Sequence, residues 1–190
     1  MSIRALRPDD RGFAILEVGV ALCLLSLVAV GICGLLPIAL RAVRSGGEQS
    51  MAMWLAVQRL EDLSALPWTR DDMGLSVSDT TTDLSVEPFA SGGTGLQPSP
   101  ADALDANRPG FVDYLDGTGR WVGTGAVPPP TAVYIRRWSV VPAASAPADT
   151  VLLQVLVTSV RREAGLSAST PRLPHLVDAL VATMRTRVVS

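Results

Sequence analysis

The sequence predicts an α+β protein in which one long N-terminal helix precedes an antiparallel sheet. Two observations predict the helix: an apolar run at residues 13–40, and an amphipathic pattern that follows it as far as Ala65. A third observation predicts the sheet. Runs rich in β-branched residues fill the last third of the chain, and stretches of Pro, Ala, Ser and Gly separate them.

The apolar run is long enough to cross a membrane. Between residues 13 and 40, Glu17 is the only charged residue and Ser26 the only hydroxyl residue. Residues 18–36 would form roughly 28 Å of helix, about the thickness of a bilayer's hydrocarbon core. The run is too long for a secretory signal peptide, and no small-x-small cleavage site follows it. A plain membrane anchor fits the length, but it gives no reason for a carboxylate near its start. A buried helix of a soluble domain does not fit this length and uniformity.

The junction between the first twelve residues and the apolar run carries a specific motif. A short charged leader ends at Gly12, and Phe13, three apolar residues, Glu17 and the apolar helix follow in that order. This resembles the precursor signature of type IV pilins and of type II secretion pseudopilins. One departure is that leaders in this family are usually basic, whereas here Asp9 and Asp10 lie close to the junction.

The resemblance implies how the precursor is processed and assembled. A prepilin peptidase in the membrane would cut between Gly12 and Phe13, and the new Phe13 amine would be N-methylated. The Glu17 carboxylate would pair with the Phe13 amine of a neighbouring subunit, because a lone carboxylate among apolar helices is costly. The alternative for Glu17 is a residue that extends to water at the membrane edge. The resemblance also implies a single-pass inner-membrane protein with a periplasmic C-terminal domain, which later enters a cell-surface pilus or a periplasmic filament.

Helix-weakening residues come late in the apolar run. Gly31, Gly34 and Pro37 lie within seven positions, and Pro37 lacks a backbone donor. We therefore expect a kink or a locally unwound stretch there. In pilins a similar break permits extension within the filament.

A second helical pattern runs from about Glu48 to Ala65. Its apolar stripe, which should cover a sheet, consists of Met51, Trp54, Leu55, Val57, Leu60 and Leu63. Its predicted polar side consists of Gln58, Arg59, Glu61 and Asp62. Pro67 should end this helix, because the residue before a proline disfavours helical backbone.

The connector after the helix is rich in Asp, Ser, Thr, Gly and Pro from Arg70 to about Asn107, so it should be irregular and displayed at the surface. Residues 111–115 and 120–122 then flank Asp116-Gly117-Thr118-Gly119, which predicts a small hairpin. Asp113 and Asp116 could suggest calcium, but their spacing does not match a known loop with enough oxygen ligands. Turn chemistry is the preferred interpretation.

Three runs predict the strands of the main sheet: residues 132–141, 151–160 and 176–188. In the middle run Val151, Leu153, Val155 and Val157 share one face. The third run could be helical by propensity, and we assign it to a strand because its neighbours form a meander.

Composition narrows the function. The net charge of −2 and an aromatic content of 5% argue against a nucleic-acid partner. All sixteen basic residues are Arg, so lysine-based chemistry is excluded. Cys23 and Cys33 lie roughly 15 Å apart on one helix, too far for a disulfide, and His175 is the only histidine. These counts predict no enzyme activity, no cofactor and no metal site.

The resemblance implies the pilin fold, in which the long N-terminal helix packs on a C-terminal antiparallel sheet. It divides the chain into a prepilin leader (1–12), a transmembrane and assembly helix (13–40), the amphipathic half of the helix (41–67), a variable loop with the hairpin (68–130) and a sheet (131–190). Residues 53–61, 134–140 and 181–187 are also similar to PilV-like minor pilins. The expected function is a minor pilin that helps to initiate assembly or modifies the pilus. The expected partners are other pilin or minor pilin subunits, the prepilin peptidase and the inner membrane. A minor pseudopilin of a type II secretion system and an unassembled, membrane-anchored binding module remain alternatives.

Overall fold

The structure is a computed structural model that describes residues 9–78, 82–83, 90–91, 96–165 and 178–189. The chain divides into two compact units, Met1–Ser45 and Gly46–Ser190. His175, and residues 176–177 of the third predicted strand, lie outside the described residues.

A single helix, α1, runs from Asp9 to Ala65. It ends two residues before Pro67, as predicted. The helix is continuous through Gly31, Gly34 and Pro37, so the locally unwound stretch that we expected there is not present in the single chain. One missing N–H removes one backbone bond, and the helix-forming leucines and alanines on both sides maintain the remaining bonds.

The remaining elements are short strands, one five-stranded sheet and one helical turn. In chain order they are β1 (Trp68–Arg70), β2 (Ser76–Ser78), β3 (Thr82–Asp83), β4 (Ala90–Ser91), β5 (Val112–Leu115), β6 (Trp121–Gly123), β7 (Tyr134–Pro142), β8 (Thr150–Ser159), α2 (Val160–Glu163), β9 (Ala179–Thr186) and β10 (Val188–Val189). The order of the main sheet is β6-β5-β7-β8-β9, and all its pairings are antiparallel. A second sheet joins β1 to β10 in parallel and to β2 in antiparallel orientation, and β3 pairs with β4.

The predicted meander is confirmed. Strands β7, β8 and β9 follow one another in sequence and in space, and β9 is a strand rather than a helix. Along β8, the four residues predicted to share a face are all buried, whereas Leu152, Gln154 and Leu156 between them are half-buried. The α+β layout predicted from the sequence is therefore correct at this level.

The main core lies between the sheet and the part of α1 that belongs to the second unit. Leu55, Ala56 and Leu63 of the helix are fully buried with Trp138 of β7 and Leu153 of β8. The apolar face of the helix and the apolar face of the sheet each cover the other.

Three assignments within the helical pattern were wrong. Arg59, predicted to be on the polar side, is buried at 1% exposure, whereas Trp54 and Val57, predicted to be in the apolar stripe, are 56% and 39% exposed. The buried positions are Ala52, Leu55, Ala56, Arg59 and Leu63. Their spacing of three and four shows that the stripe runs through two alanines, and that Arg59 lies in it by helix geometry.

The connector is more structured than predicted. Leu96 and Ala103 are fully buried in the main core. Ser99 fixes this stretch to β7, because its N–H donates to the Val140 carbonyl oxygen over 2.9 Å and its Oγ accepts from the Val140 N–H over 3.1 Å. The surface loop predicted over residues 70–107 thus contains core residues near its C-terminal end.

The predicted hairpin is confirmed as β5 and β6. Its turn depends on Asp116, whose Oδ1 accepts bonds from the Thr118 N–H, the Thr118 hydroxyl and the Arg120 N–H at 2.8, 2.7 and 3.0 Å. These bonds confirm turn chemistry as the role of Asp116. Turn chemistry was wrong for Asp113, which lies within β5 and whose buried carboxylate pairs with the guanidinium groups of Arg59 and Arg136.

Candidate functional site

The first unit is a helix with an uncovered apolar surface. Every side chain from Ile15 to Ser45 is exposed, including Leu25 at 65% and Val30 at 71%. By length and composition, α1 is the one helix in the described part of the chain that could cross a membrane, with a mean hydropathy of 2.6 in its most apolar window. A helix that is apolar on all sides is stable only within a membrane or among other helices.

The residues that the sequence motif singles out lie at the start of this surface. Gly12 and Phe13 belong to the backbone of α1, and the Glu17 side chain is exposed. The ion pairs found within the described residues do not include Glu17. A carboxylate in this position therefore requires water or a cation from another molecule.

Cys23, Cys33 and the glycines of the late run are also exposed in this unit. Both cysteines are free thiols on the helix surface. A side chain built at Gly31 or Gly34 would meet no atom within 4 Å. The small residues of this segment thus leave open surface rather than making room for another part of the chain.

The second unit contains a buried charge cluster that the sequence analysis missed. Asp113 is 0% exposed, and its carboxylate accepts two hydrogen bonds from the Arg136 guanidinium. Nε donates to Oδ1 over 2.9 Å and Nη2 donates to Oδ2 over 2.7 Å. Arg59 Nη2 also donates to Asp113 Oδ2. The Arg59 guanidinium lies over the Trp138 ring, 4.7 Å from its centre. Three charged side chains on α1, β5 and β7 are therefore held at the centre of the core.

The electrostatics of this cluster indicate that it fixes how the helix, the hairpin and the sheet pack together. Burial lowers the pKa of the Arg59 guanidinium, and the neighbouring Asp113 carboxylate opposes that shift. A buried charge without its partner costs several kcal/mol, so helix, hairpin and sheet must meet in one arrangement. The available sequence signals were an arginine at the spacing of the buried stripe and an aspartate within the apolar run 111–115.

A second buried arginine, on the opposite face of the sheet, binds two other segments of the chain. Arg137, 1% exposed, donates to Asn107 Oδ1 at 2.9 and 2.6 Å and to Glu163 Oε1 at 2.9 Å. Burial lowers the pKa of the Arg137 guanidinium to about 10, which leaves it charged at neutral pH. These bonds tie the connector and α2 to β7.

In both clusters the guanidinium groups are bound to carboxylates of the same chain: Arg59 and Arg136 to Asp113, and Arg137 to Glu163. Within the residues that the structure describes, no group of three or more His, Cys, Asp or Glu side chains could hold a metal ion.

Comparison with known proteins found no match: no protein-family model, no curated protein and no solved structure matches the chain.

Proposed function

We propose that the chain is a membrane-inserted precursor, cut between Gly12 and Phe13, whose mature form assembles as a minor subunit of a type IV pilus-like filament. One observation carries the proposal. The helix that follows the cleavage motif is apolar and exposed on every side, and its first charge is Glu17.

The energetics of that helix favour assembly over simple anchoring. A bilayer alone covers the apolar side chains but leaves Glu17 at a cost of a few kcal/mol. A neighbouring subunit whose Phe13 amine meets Glu17 relieves the cost and fixes the register of the two helices. Packing between apolar helices then supplies the contact area.

The second unit has its own apolar core, which does not include residues 15–45, so that segment is available for contacts with other molecules. A minor pseudopilin would share the same processing and the same helix.

The test is the covalent state of the protein in the membrane. The chain should be co-produced with a prepilin peptidase, extracted, and analysed by intact-mass and N-terminal fragment spectrometry. We expect loss of residues 1–12 and one methyl group on the Phe13 amine. A Gly12→Leu variant should remain uncut. An intact Met1 terminus in the presence of active peptidase would contradict the proposal.

Processing alone does not distinguish a filament subunit from a processed anchor. Filaments sheared from cells that carry the matching assembly machinery should therefore contain the trimmed chain in small amounts. Its recovery with a periplasmic secretion filament, and not with a surface pilus, would assign it to the pseudopilins.

A further inference from the structure

A cavity of about 370 Å³ opens in the second unit, where α1 passes the start of β7 and the turn from β8 into α2. Small-molecule sites usually measure roughly 300–1,000 Å³. The polar side chains of the lining are Glu48, Thr131, Tyr134, Ser159 and Arg161. The cavity is remote in sequence from the cleavage motif, and the proposed function leaves it unused.

The floor of the cavity is a pair of hydroxyl groups on neighbouring strands. Tyr134 and Ser159 lie directly opposite each other in the pairing of β7 with β8. The next pair along the ladder is hydrogen-bonded, since the Val160 N–H donates to the Val133 carbonyl oxygen over 2.9 Å. Because such pairs alternate in an antiparallel ladder, Tyr134 and Ser159 form a non-hydrogen-bonded pair. In a pair of this kind the two side chains stand closest together.

Neither hydroxyl is used by the chain itself. Tyr134 is only 6% exposed, yet its hydroxyl has no hydrogen-bond partner among the residues that the structure describes. The Tyr134 oxygen is nevertheless open to solvent rather than sealed in the core. Ser159 is the N-cap residue of α2, but its side chain makes no capping hydrogen bond. Since the polar groups of buried side chains are nearly always paired, this floor is suited to a ligand that supplies the partners.

Two opposite charges flank the floor without meeting. Glu48 on α1 and Arg161 on α2 are both exposed, and neither forms an ion pair within the described part of the chain. Glu48 lies near the Tyr134 hydroxyl, because burial raises the pKa of that hydroxyl and the Glu48 charge raises it further. The hydroxyl therefore stays neutral at physiological pH, and it can donate to Glu48 while its oxygen accepts from a ligand.

The charges select the class of ligand. One Glu and one Arg give the lining no net charge, so an anion would be opposed by Glu48 and a cation by Arg161. A zwitterion with a single charge of each sign satisfies both groups, and a lone guanidinium matches a carboxylate in geometry. The rest of the lining is apolar, and Val133, which is 41% exposed, offers a surface to an aliphatic group.

We propose that this cavity binds a free α-amino acid with an aliphatic side chain. The Glu48 carboxylate and the Tyr134 oxygen accept hydrogen bonds from the ammonium group of the ligand. Arg161 and the Ser159 hydroxyl donate to its carboxylate. The aliphatic side chain lies against Val133.

The test uses the full chain in detergent micelles with ¹³C-labelled tyrosine rings. The chain has two tyrosines, and the hydroxyl of the second, Tyr114, donates to the Gly125 carbonyl oxygen over 2.6 Å. With the signals assigned by Tyr134→Phe, leucine should shift the Tyr134 signal in a saturable way and leave Tyr114 in place. Two analogues of leucine each lack one charge: 4-methylpentanoate has no ammonium group, and 3-methylbutylamine has no carboxylate. Each should bind at least ten-fold more weakly than leucine, because one charge-assisted contact is lost.

Two substitutions at exposed positions separate the charges. Glu48→Gln should weaken leucine binding about ten-fold without weakening 4-methylpentanoate, and Arg161→Gln should weaken leucine equally without weakening 3-methylbutylamine. Glu61→Gln, at an exposed position of the same helix outside the cavity, is the matched control and should leave all three affinities unchanged.

The proposal would be overturned by a leucine dissociation constant weaker than about 1 mM. It would equally be overturned if either analogue bound as tightly as leucine, or if Glu48→Gln or Arg161→Gln had no effect. Glucose tests for a neutral sugar, and tighter binding of glucose than of leucine would overturn the amino-acid assignment. Because each measurement reads the cavity directly, a failure here leaves the cleavage and assembly proposal intact, and failed cleavage leaves this one intact.

Discussion

Leu35 and Leu55 lie on the same helix in opposite surroundings. Leu35 is 65% exposed, and all residues from 15 to 45 are exposed like it. Leu55, in contrast, is fully buried under the sheet. The packed part of α1 is covered by its own chain and includes a charge, Arg59, that the same chain neutralises with Asp113. The uncovered part has a charge, Glu17, for which the described residues supply no partner. The difference teaches that the packed region has its apolar side chains and its charge covered by its own chain, and that the described residues cover neither in the region 15–45.

The largest loss of stability should come from removing the carboxylate that neutralises the buried arginines of the packed region. Asp113→Asn leaves Arg59 and Arg136 buried with their charge unmatched, and this should lower the free energy of unfolding by about 3–5 kcal/mol. Denaturant unfolding followed by tryptophan fluorescence, with the full chain in micelles, measures it. Asp102→Asn is the matched control, since the Asp102–Arg108 pair is exposed, and it should leave the midpoint unchanged. Equal midpoints for the two variants would show that the buried cluster does not hold the core.

A matched pair of leucine substitutions tests the comparison directly. Leu55→Ala removes fully buried methyl groups and should destabilise the second unit by about 2–5 kcal/mol. Leu35→Ala removes the same atoms from exposed surface and should leave that unfolding transition where it is. Similar losses for both variants would mean that the segment 15–45 is covered by its own chain.

Adding a side chain where the hairpin turn packs closely against the helix should cause a smaller loss of stability. Gly119 has φ +84°, and a Cβ there would approach Leu55 Cδ2 to 3.0 Å. Gly125 also has positive φ, but a Cβ there would meet open space. Both alanine variants carry the backbone penalty, and Gly119→Ala should be less stable than Gly125→Ala by about 1–3 kcal/mol. Thermal melts of the two proteins compare them, and equal melts would show that the turn yields freely.

The smallest effect is a dependence of stability on pH that arises in the exposed turn. Hydrogen bonds from the Thr118 hydroxyl and from the Arg120 and Thr118 N–H groups lower the pKa of the Asp116 carboxyl below its ordinary value of 3.8. Because the folded pKa lies below the unfolded one, this stabilisation is present above about pH 4 and is lost as pH falls through the folded pKa. Asp116→Asn should therefore flatten the fall in melting temperature below pH 4. If the melting temperature of Asp116→Asn fell below pH 4 as steeply as that of the native chain, the hydrogen bonds to Asp116 would not contribute to stability.

The sequence predicted the structure well where a local pattern of residue types determines the backbone conformation. The apolar run, the alternation along β8 and the Asp-Gly-Thr-Gly turn each impose one local geometry, and each prediction was confirmed. It was less informative where burial depends on a distant partner. Arg59 is hydrophilic by type, and its burial depends on partners far away in sequence, the Asp113 carboxylate and the Trp138 ring. The helix is continuous through Gly31, Gly34 and Pro37, and the kink expected there stays a prediction.

The most direct test of the account is incorporation of a Glu17→Gln variant into filaments, compared with Glu61→Gln on the exposed face of the packed region. Both proteins should insert in the membrane and be trimmed at Gly12 like the native chain. Quantitative mass spectrometry of sheared filaments should find Glu61→Gln at the native level and Glu17→Gln reduced at least ten-fold, because in the proposed assembly only Glu17 would meet the Phe13 amine of a neighbour. Equal incorporation of the two variants would contradict the claim that Glu17 fixes this helix against another subunit.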